Sequence, residues 1–359
     1  MSKPRQNNFD LLRLALALMV VRCHAALVGW SLPWTDDRYF LGGRWAVQCF
    51  FVISGYLIFQ SWDRQPRLKQ YIEKRARRIL PAYVAVLLAC TFGLSLLSTL
   101  SIGEYFRNSD VYAYLFSHLA FVGFLQNTLP GVFKDNYTAY VNGPLWTIKI
   151  EVMFYAAVPI IDYLARQLDL RTRWGRLWIF SLTYVLAIVW NAGFDHLGHT
   201  TERNFYEKLS EQLPGQMSFF VAGALLYYYR PNFERHLIWA TIVSAGIVAA
   251  YFWTHSVWAY AAYPLALAVC VICFANHFYY FGNFGRYGDF SYGLYILHYP
   301  ILQIIASLSL PLSPPVQFAI GLAISFVASV MSWRWIESRW LLPSSHYVIA
   351  TQQENEERG

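Results

Sequence analysis

The chain has 359 residues, of which 57% are hydrophobic and 14% charged, and its formal net charge is +7. Soluble domains carry roughly 25% charged residues, so this composition excludes an ordinary soluble protein, and the aromatic content excludes a disordered one. The composition predicts an all-α, polytopic membrane protein. In such a protein the basic excess reports topology, and it gives no reason to expect nucleic acid as a partner.

Ten stretches are predicted as transmembrane helices, each of which needs roughly 20 mostly apolar residues. In chain order they lie at 11–30, 44–62, 79–100, 144–164, 177–194, 213–229, 237–254, 258–280, 291–310 and 316–336. A further stretch at 111–126 is short for a span, and we interpret it as a re-entrant or interfacial helix within an extracytoplasmic segment, 101–143. Residues 1–340 are thus predicted to form one transmembrane domain, followed by a cytoplasmic tail at 341–359.

The charges of the connecting loops predict the orientation. The loop between the second and third spans is strongly basic; it holds Arg64, Arg67, Lys69, Lys74, Arg75, Arg77 and Arg78. The loops that follow the first, third and fifth spans are poor in Lys and Arg and carry acidic residues. These are Asp36, Asp37, Glu104, Asp110, Asp135, Asp195, Glu202, Glu207 and Glu211. Because basic loops stay on the cytoplasmic side, both the N-terminus and the C-terminus are predicted to be cytoplasmic.

Ionisable residues inside a span are costly and indicate function. In the first span Arg13 and His24 are 11 residues apart, three helical turns plus about 20°, so both lie on one stripe roughly 16 Å apart. Asp10 precedes Arg13 at the i,i+3 spacing of an ion pair. This stripe predicts a polar path from the cytoplasmic side to the middle of the membrane. The alternative is that Arg13 snorkels and His24 bonds a neighbouring helix.

The fourth span carries Glu151 at a depth similar to that of His24, and a carboxylate beside an imidazole can orient it for proton transfer. The alternative is a purely structural ion pair of Glu151 with Lys149 or Arg22. His298 in the ninth span is, by itself, typical of a satisfied core histidine. The five cysteines lie in apolar runs, so neither a disulfide framework nor a metal site is predicted.

Several short motifs in this order carry a resemblance to a known family. They are NFDLLR at 8–13 with His24 in an Arg-x10-His spacing, FFVISGYLI at 50–58, RARRILPAY at 75–83, PLWT at 144–147 with Glu151 and Tyr155, GDFSYGLYILH at 288–298, and WIE at 335–337. Together they resemble the membrane-bound acyltransferase-3 family, which includes bacterial polysaccharide, O-antigen and Nod-factor O-acetyltransferases. One departure is Val152, which stands where many relatives have a second glutamate.

The resemblance implies an O-acetyltransferase of the bacterial cytoplasmic (inner) membrane. Such an enzyme moves an acyl group from cytosolic acetyl-CoA or another acyl-CoA to a hydroxyl of a surface or exported glycan or a lipid-linked sugar. His24 then acts as the general base, although an acyl-imidazole intermediate is a second route. Glu151 orients His24 or the acceptor, and Arg13 stabilises negative charge on the donor. No metal is implied.

Further residues are assigned to binding by the same resemblance. Arg75 and Arg78 offer guanidinium groups to the CoA phosphates, although juxtamembrane arginines also fix topology and bind anionic lipid. Trp146, Tyr155 and His298 are candidates for binding the acceptor. Trp146 stacks on a sugar or thioester in one interpretation and only anchors the membrane interface in the other.

Two other functions stay open at this point. A transporter or proton-coupled flippase would use the same intramembrane arginine, histidine and glutamate. An acyltransferase acting on a small molecule such as a macrolide would carry the same motifs. Cleavage of the acetyl-CoA thioester in the presence of an acceptor separates the enzyme from the transporter.

Overall fold

The computed structural model describes residues 6–30, 32, 42–343, 345 and 347, and every regular element within them is helical. The helices are α1 (Phe9–Leu27), α2 (Gly43–Arg64), α3 (Leu68–Leu88), α4 (Ile102–Arg107), α5 (Ser109–Leu119), α6 (Leu145–Gln167), α7 (Arg173–Thr201), α8 (Asn204–Ser210), α9 (Leu213–Tyr228), α10 (Arg230–Arg235), α11 (Leu237–Thr254), α12 (Val257–His277), α13 (Phe290–Ser307), α14 (Pro314–Ser332) and α15 (Ser338–Trp340). The all-α prediction is confirmed for this part of the chain. Asp36, Asp37 and most of the predicted tail at 341–359 lie outside it.

The chain divides into two compact units. Unit 1 consists of Val47–Ile72 and Ile150–Gly282 together with the described residues before Asp10. Unit 2 consists of Glu73–Lys149 and the described residues of Asp10–Ala46 and from Asn283 onward. Unit 2 therefore combines nearly all of α1 with most of α3, the segment that follows α3, and the helices α13 and α14.

Among the described residues, six helices are long and apolar enough to cross a membrane. They correspond to the predicted spans 44–62, 79–100, 177–194, 237–254, 258–280 and 316–336. The remaining predicted spans coincide with α1, α6, α9 and α13. These four helices are not long or apolar enough to be counted with the six. Helices α1 and α6 carry charged side chains, α9 has only 16 residues, and His298 and Gln303 lower the hydropathy of α13. The multi-pass prediction is confirmed, while the count of ten stays a prediction.

The third predicted span, 79–100, lies on a helix that begins earlier than the span, because α3 begins at Leu68 and residues 68–78 are helical where a loop was predicted. The basic residues in this stretch lower its hydropathy, yet Lys and Arg are good helix formers. The pair Glu73–Arg77, at 2.9 Å and the i,i+4 spacing, supports the added turns. The arginines of the RARRILPAY motif therefore lie on a helix that continues into the span.

The predicted helix at 111–126 is shorter in the structure. Helix α5 covers Ser109–Leu119, and its start is capped by the side chain of Asn108, which accepts from the amide of Asp110 at 2.9 Å. The helix cannot continue past Phe121, whose φ of 58° is in the left-handed region. Whether α5 contacts the membrane stays a prediction.

Helices α7 and α11 expose most of their apolar surface. Only 11% of the apolar stretch of each is buried within the protein. Tryptophans lie near both ends of α11, with Trp239 71% and Trp253 89% exposed. Apolar helices flanked by exposed tryptophans are typical of lipid-facing spans, so this arrangement supports the multi-pass membrane assignment.

Two glycines of unit 1 bring α2 and α9 into close contact. A Cβ atom at Gly55 would lie 1.8 Å from the carbonyl oxygen of Phe220, and one at Gly223 would lie 2.1 Å from the carbonyl oxygen of Val52. Close approach of backbones through small residues is the usual way in which membrane helices pack. The glycine of the FFVISGYLI motif is therefore a packing residue.

Replacing Gly55 with alanine is expected to destabilise unit 1, because the added methyl group meets backbone and not a movable side chain. Overpacking of this kind costs about 1–3 kcal/mol or more. Thermal unfolding in detergent, followed by the loss of monodisperse protein, measures the effect. The matched control is Gly246→Ala in α11, where a Cβ meets nothing within 4 Å. Equal melting temperatures for the two variants would contradict the close α2–α9 contact.

Candidate active site

The start of α1 carries an ion pair that local spacing predicts. The side chain of Asn7 accepts from the amide of Phe9 at 3.2 Å, and Asp10 lies in the first turn, where a carboxylate complements the helix dipole. Arg13 Nη1 lies 3.0 Å from Asp10 Oδ1. The predicted i,i+3 pair is thus confirmed, and it anchors the Arg13 guanidinium at this end of the helix.

His24, near the other end of α1, contacts His298 of α13. The two ring nitrogens, His24 Nδ1 and His298 Nε2, are 2.7 Å apart, and the rings are stacked with centroids 5.0 Å apart. Tyr299 places its ring edge-on to His24 at 5.3 Å. His298 is completely buried, whereas His24 is partly exposed. His298 is therefore buried and hydrogen-bonded, as predicted for a satisfied core histidine, and its partner at Nε2 is the predicted base.

A second polar cluster surrounds Arg13. Its Nη1 donates to the hydroxyl of Tyr347 at 3.2 Å. That hydroxyl lies 2.8 Å from Asp10 Oδ1 and 2.9 Å from Asp289 Oδ2. A phenol has one proton, so it donates to one of these carboxylates at a time. Tyr347 thus joins the start of α1 to the start of α13.

Arg78 extends this cluster to the helical turn Trp333–Glu337, which follows α14. Its Nη2 lies 2.5 Å from Asp289 Oδ2 and its Nη1 lies 3.1 Å from Glu337 Oε2. The side chains of Asp289 and Glu337 are 4% and 1% exposed, so Arg78 supplies the cation for two buried carboxylates. Charge-assisted bonds of this kind are strong and hold both partners in place. Arg75 lies one turn earlier on α3 and is half-buried.

The charges of this cluster shift the pKa values of Asp289 and Tyr347. Burial alone would raise the pKa of the Asp289 carboxyl, but the guanidinium groups of Arg78 and Arg13 outweigh it, and the pKa is below its ordinary value. Burial and the neighbouring carboxylates of Asp289 and Asp10 raise the pKa of the Tyr347 phenol well above its ordinary value. Asp289 is therefore an anion and Tyr347 a neutral donor at neutral pH.

The PLWT motif begins α6 and lies beside α13. Thr147 Oγ1 donates to the carbonyl of Pro144 at 2.9 Å and accepts from Tyr295, whose hydroxyl is 2.7 Å away. Asn142 Nδ2 donates to the carbonyl of Ile296 at 2.9 Å. Trp146 is 38% exposed, so its ring remains accessible on the outside of this contact. Thr147 is thus a structural residue, while Trp146 keeps the exposure that binding requires.

Glu151 and Tyr155 belong to unit 1. The Tyr155 hydroxyl donates to Glu151 Oε1 at 2.5 Å, one turn apart on α6. Tyr71 donates to the carbonyl of Tyr155 at 3.0 Å and fixes this part of the helix. The predicted approach of Glu151 to His24 stays a prediction.

The remaining candidates share one unit. Unit 2 contains Arg13, His24, Arg75, Arg78, Trp146 and His298. Sequence reasoning did not connect Asp289, Glu337 and Tyr347 to this set. Asp289 lies in the GDFSYGLYILH motif and Glu337 in the WIE motif, and a charged residue within an apolar motif could have pointed to them. Nothing in the sequence around Tyr347 pointed to its role. In the described part of the chain, no group of three His, Cys, Asp or Glu residues is arranged to hold a metal ion.

Comparisons with known proteins agree with the motifs. A family model described as an acyltransferase domain matches residues 6–334. The "O-acetyl transferase" of Shigella phage Sf6 is 27% identical over 372 residues, covering 95% of this chain and 98% of that protein. "Nodulation protein 10" of Rhizobium leguminosarum bv. viciae is 28% identical over 335 residues, covering 86% of each. No solved structure matches the chain.

Proposed function

Because the chain belongs to the acyltransferase-3 family, we propose that this multi-pass membrane acyltransferase is an O-acetyltransferase that uses His24 as its general base. The donor is cytosolic acetyl-CoA, and the acceptor is a hydroxyl of a surface or exported glycan or a lipid-linked sugar. The name of the phage relative, an O-acetyl transferase, supports the acetyl group and the oxygen acceptor.

The contact between His24 and His298 is the observation that carries this proposal. It gives the partly exposed His24 a buried partner within the same unit. A general base needs a ring that is held in position yet reachable by the proton it removes. Arg13 lies on the same helix, about 16 Å along the axis toward the end we place in the cytoplasm. Helix α1 therefore carries the base His24 and the cation Arg13 on the same face.

The chemical step follows from these groups. His24 takes the proton from the acceptor hydroxyl while the oxygen attacks the thioester carbonyl carbon. The carbon–sulfur bond then breaks, and the CoA thiolate leaves and receives that proton from the imidazolium. A hydroxyl is a weak nucleophile, and a positioned base contributes typically 10²–10⁴-fold to such a reaction. Trapping with labelled acetyl-CoA in the absence of acceptor distinguishes this route from an acyl-imidazole, which would leave label on the protein.

The cytoplasmic side binds the donor in this proposal. Arg75 and Arg13 are the proposed contacts for the CoA phosphates and for negative charge on the donor, because guanidinium groups bind phosphate in a bidentate manner. Arg78 already holds two buried carboxylates, so we assign it first to that cluster.

Replacing Arg75 with alanine is expected to raise the KM for acetyl-CoA about 10- to 100-fold, since a hydrogen bond to a charged group is worth about 1.5–3 kcal/mol. The kcat should change little. Steady-state release of CoA at saturating acceptor measures both. The matched control is Arg77→Ala, two residues away, whose guanidinium pairs with Glu73 and is 40% exposed. A KM that rises equally in both variants would indicate a general charge effect and not a contact with CoA.

The proposal also assigns the residues that bind the acceptor and the topology of the protein in the membrane. Trp146, with its exposed ring, stacks on the sugar, and Glu151 and Tyr155 position the acceptor or tune the base. In this proposal the protein has ten spans and lies in the inner membrane of a bacterium, with both termini in the cytoplasm. Helices α1, α6, α9 and α13 supply the four spans beyond the six apolar helices, and the basic loops supply the orientation.

The decisive experiment supplies purified protein with acetyl-CoA and with candidate acceptors. Release of CoA that depends on a glycan, together with an acetyl ester on that glycan in mass spectrometry, is the expected result. Modification of a macrolide but of no glycan would move the acceptor to the small-molecule class. The transporter alternative has no observation in its favour beyond the intramembrane charges, and substrate counterflow without any CoA release would be needed to support it.

A further inference from the structure

The hydrogen-bonding pattern around His298 assigns its protons. His298 Nδ1 lies 2.9 Å from the carbonyl oxygen of Leu294, one turn earlier on α13. A carbonyl oxygen only accepts, so His298 Nδ1 must carry a hydrogen. Buried charges in proteins are paired, and within the described residues of unit 2 no carboxylate forms an ion pair with His298. His298 is therefore neutral, with a lone pair on Nε2.

That lone pair decides the tautomer of His24. His24 Nδ1 lies 2.7 Å from His298 Nε2, a distance at which two lone pairs would repel each other. His24 Nδ1 must therefore carry the hydrogen and donate it to His298. In a neutral imidazole the other nitrogen then holds the lone pair, so His24 Nε2 is the basic atom.

The surroundings of α13 hold His298 in place. Gln303 Nε2 donates to the carbonyls of Thr138 and Tyr140, at 2.8 Å each, and so ties the helix to the segment before α6. The side chain of Asn142 bonds to α13 at Ile296, two residues before His298. A completely buried ring on a helix tied at two points has little freedom to turn away from its partner.

We propose that His298 is a positioning residue that fixes His24 in the tautomer with its lone pair on Nε2 and holds that ring in orientation for proton transfer. The inference rests on the proposed role of His24 as the base. It gives His298 a role other than binding the acceptor. A neutral acceptor at Nδ1 does for His24 what a carboxylate does in a catalytic triad, without adding a negative charge to the site. When His24 takes a proton on Nε2, its Nδ1–H keeps the same bond.

The test compares His298→Gln with His298→Asn. The Gln amide oxygen reaches the position of the imidazole Nε2 and can accept from His24, whereas the Asn amide reaches only the position of Nδ1. Both variants bury an amide of similar polarity, so differences in folding should be small, and thermal unfolding of each in detergent checks this. His298→Leu, which removes every polar atom, is the third variant.

We expect His298→Asn and His298→Leu to lower kcat by about 10²-fold or more, in line with the loss of a positioned base, while the KM values for acetyl-CoA and acceptor stay within a few-fold of wild type. His298→Gln should recover most of kcat. Wild-type kcat in His298→Leu, equal losses in the Gln and Asn variants, or a raised acceptor KM with unchanged kcat would each overturn the inference. Absence of acyl transfer in the wild-type protein would instead contradict the proposed function itself.

Discussion

Replacing His24 with alanine is expected to abolish acyl transfer, lowering kcat by about 10²–10⁴-fold, because the acceptor hydroxyl then has no base to receive its proton. The loss should reach the same size whether His24 acts as a base or carries the acyl group, since both roles need its Nε2. Acceptor-dependent release of CoA by purified protein measures the effect. Thermal unfolding in detergent should show that the variant still folds, because His24 is partly exposed and bonds only one described side chain.

The matched control for this prediction is His196→Ala. His196 is an exposed histidine on α7 in unit 1, and its removal takes away one imidazole without touching the His24–His298 contact. We expect activity within a few-fold of wild type. Retention of wild-type kcat by His24→Ala, with folded protein in hand, would remove His24 from the chemistry and leave the His24–His298 pair as a structural contact.

Replacing Arg78 with alanine is expected to destabilise unit 2 strongly. Asp289 and Glu337, 4% and 1% exposed, would lose the cation that pairs with both. Breaking a buried pair by removing one partner costs about 3–5 kcal/mol, and the 21% exposure of Arg78 places the effect toward the lower end of that range. A large drop in the detergent melting temperature, together with a low yield of monodisperse protein, is the expected measurement. The control is Arg77→Ala, which removes a 40% exposed guanidinium from a surface ion pair with Glu73 and should change the melting temperature far less.

A triple variant distinguishes the effect of unpaired carboxylates from the effect of lost packing around Arg78. In Arg78→Met combined with Asp289→Asn and Glu337→Gln, no buried charge is left unpaired, so much of the lost stability should return. The opposite outcome is equally informative. If Arg78→Ala melts as the wild type does but has a raised KM for acetyl-CoA, Arg78 contacts the donor and the carboxylate cluster is dispensable for folding.

Much of the fold could be predicted from local sequence. The span at 237–254 coincides with α11 residue for residue, because a long run of apolar residues forms a helix in a membrane whatever it packs against. The Asp10–Arg13 pair was predictable for the same reason, since three residues of helix fix the distance. The start of α3 was missed because hydropathy detects the part of a helix inside the bilayer and not its polar extension.

The candidate site was predictable only in part. The spacing of Arg13 and His24 is a property of one helix, so their common stripe follows from the chain itself. The bond between His24 and His298 joins residues 274 apart in sequence, and the pair Arg78–Glu337 joins residues 259 apart. A single sequence contains no distance information at that range, and each of these side chains taken alone fits a structural interpretation as well as a functional one.

By itself, the sequence determined that this protein is a helical membrane protein, which residues bear charge in an apolar setting, and, through its motifs, its family. Those properties depend on composition and on neighbours within one or two helical turns. Only the tertiary structure decided that His298 is the partner of His24 and that Arg78 joins Asp289 to Glu337. The physical reason is that a hydrogen bond or ion pair requires two groups within about 3 Å, and packing of helices distant in the chain sets that distance.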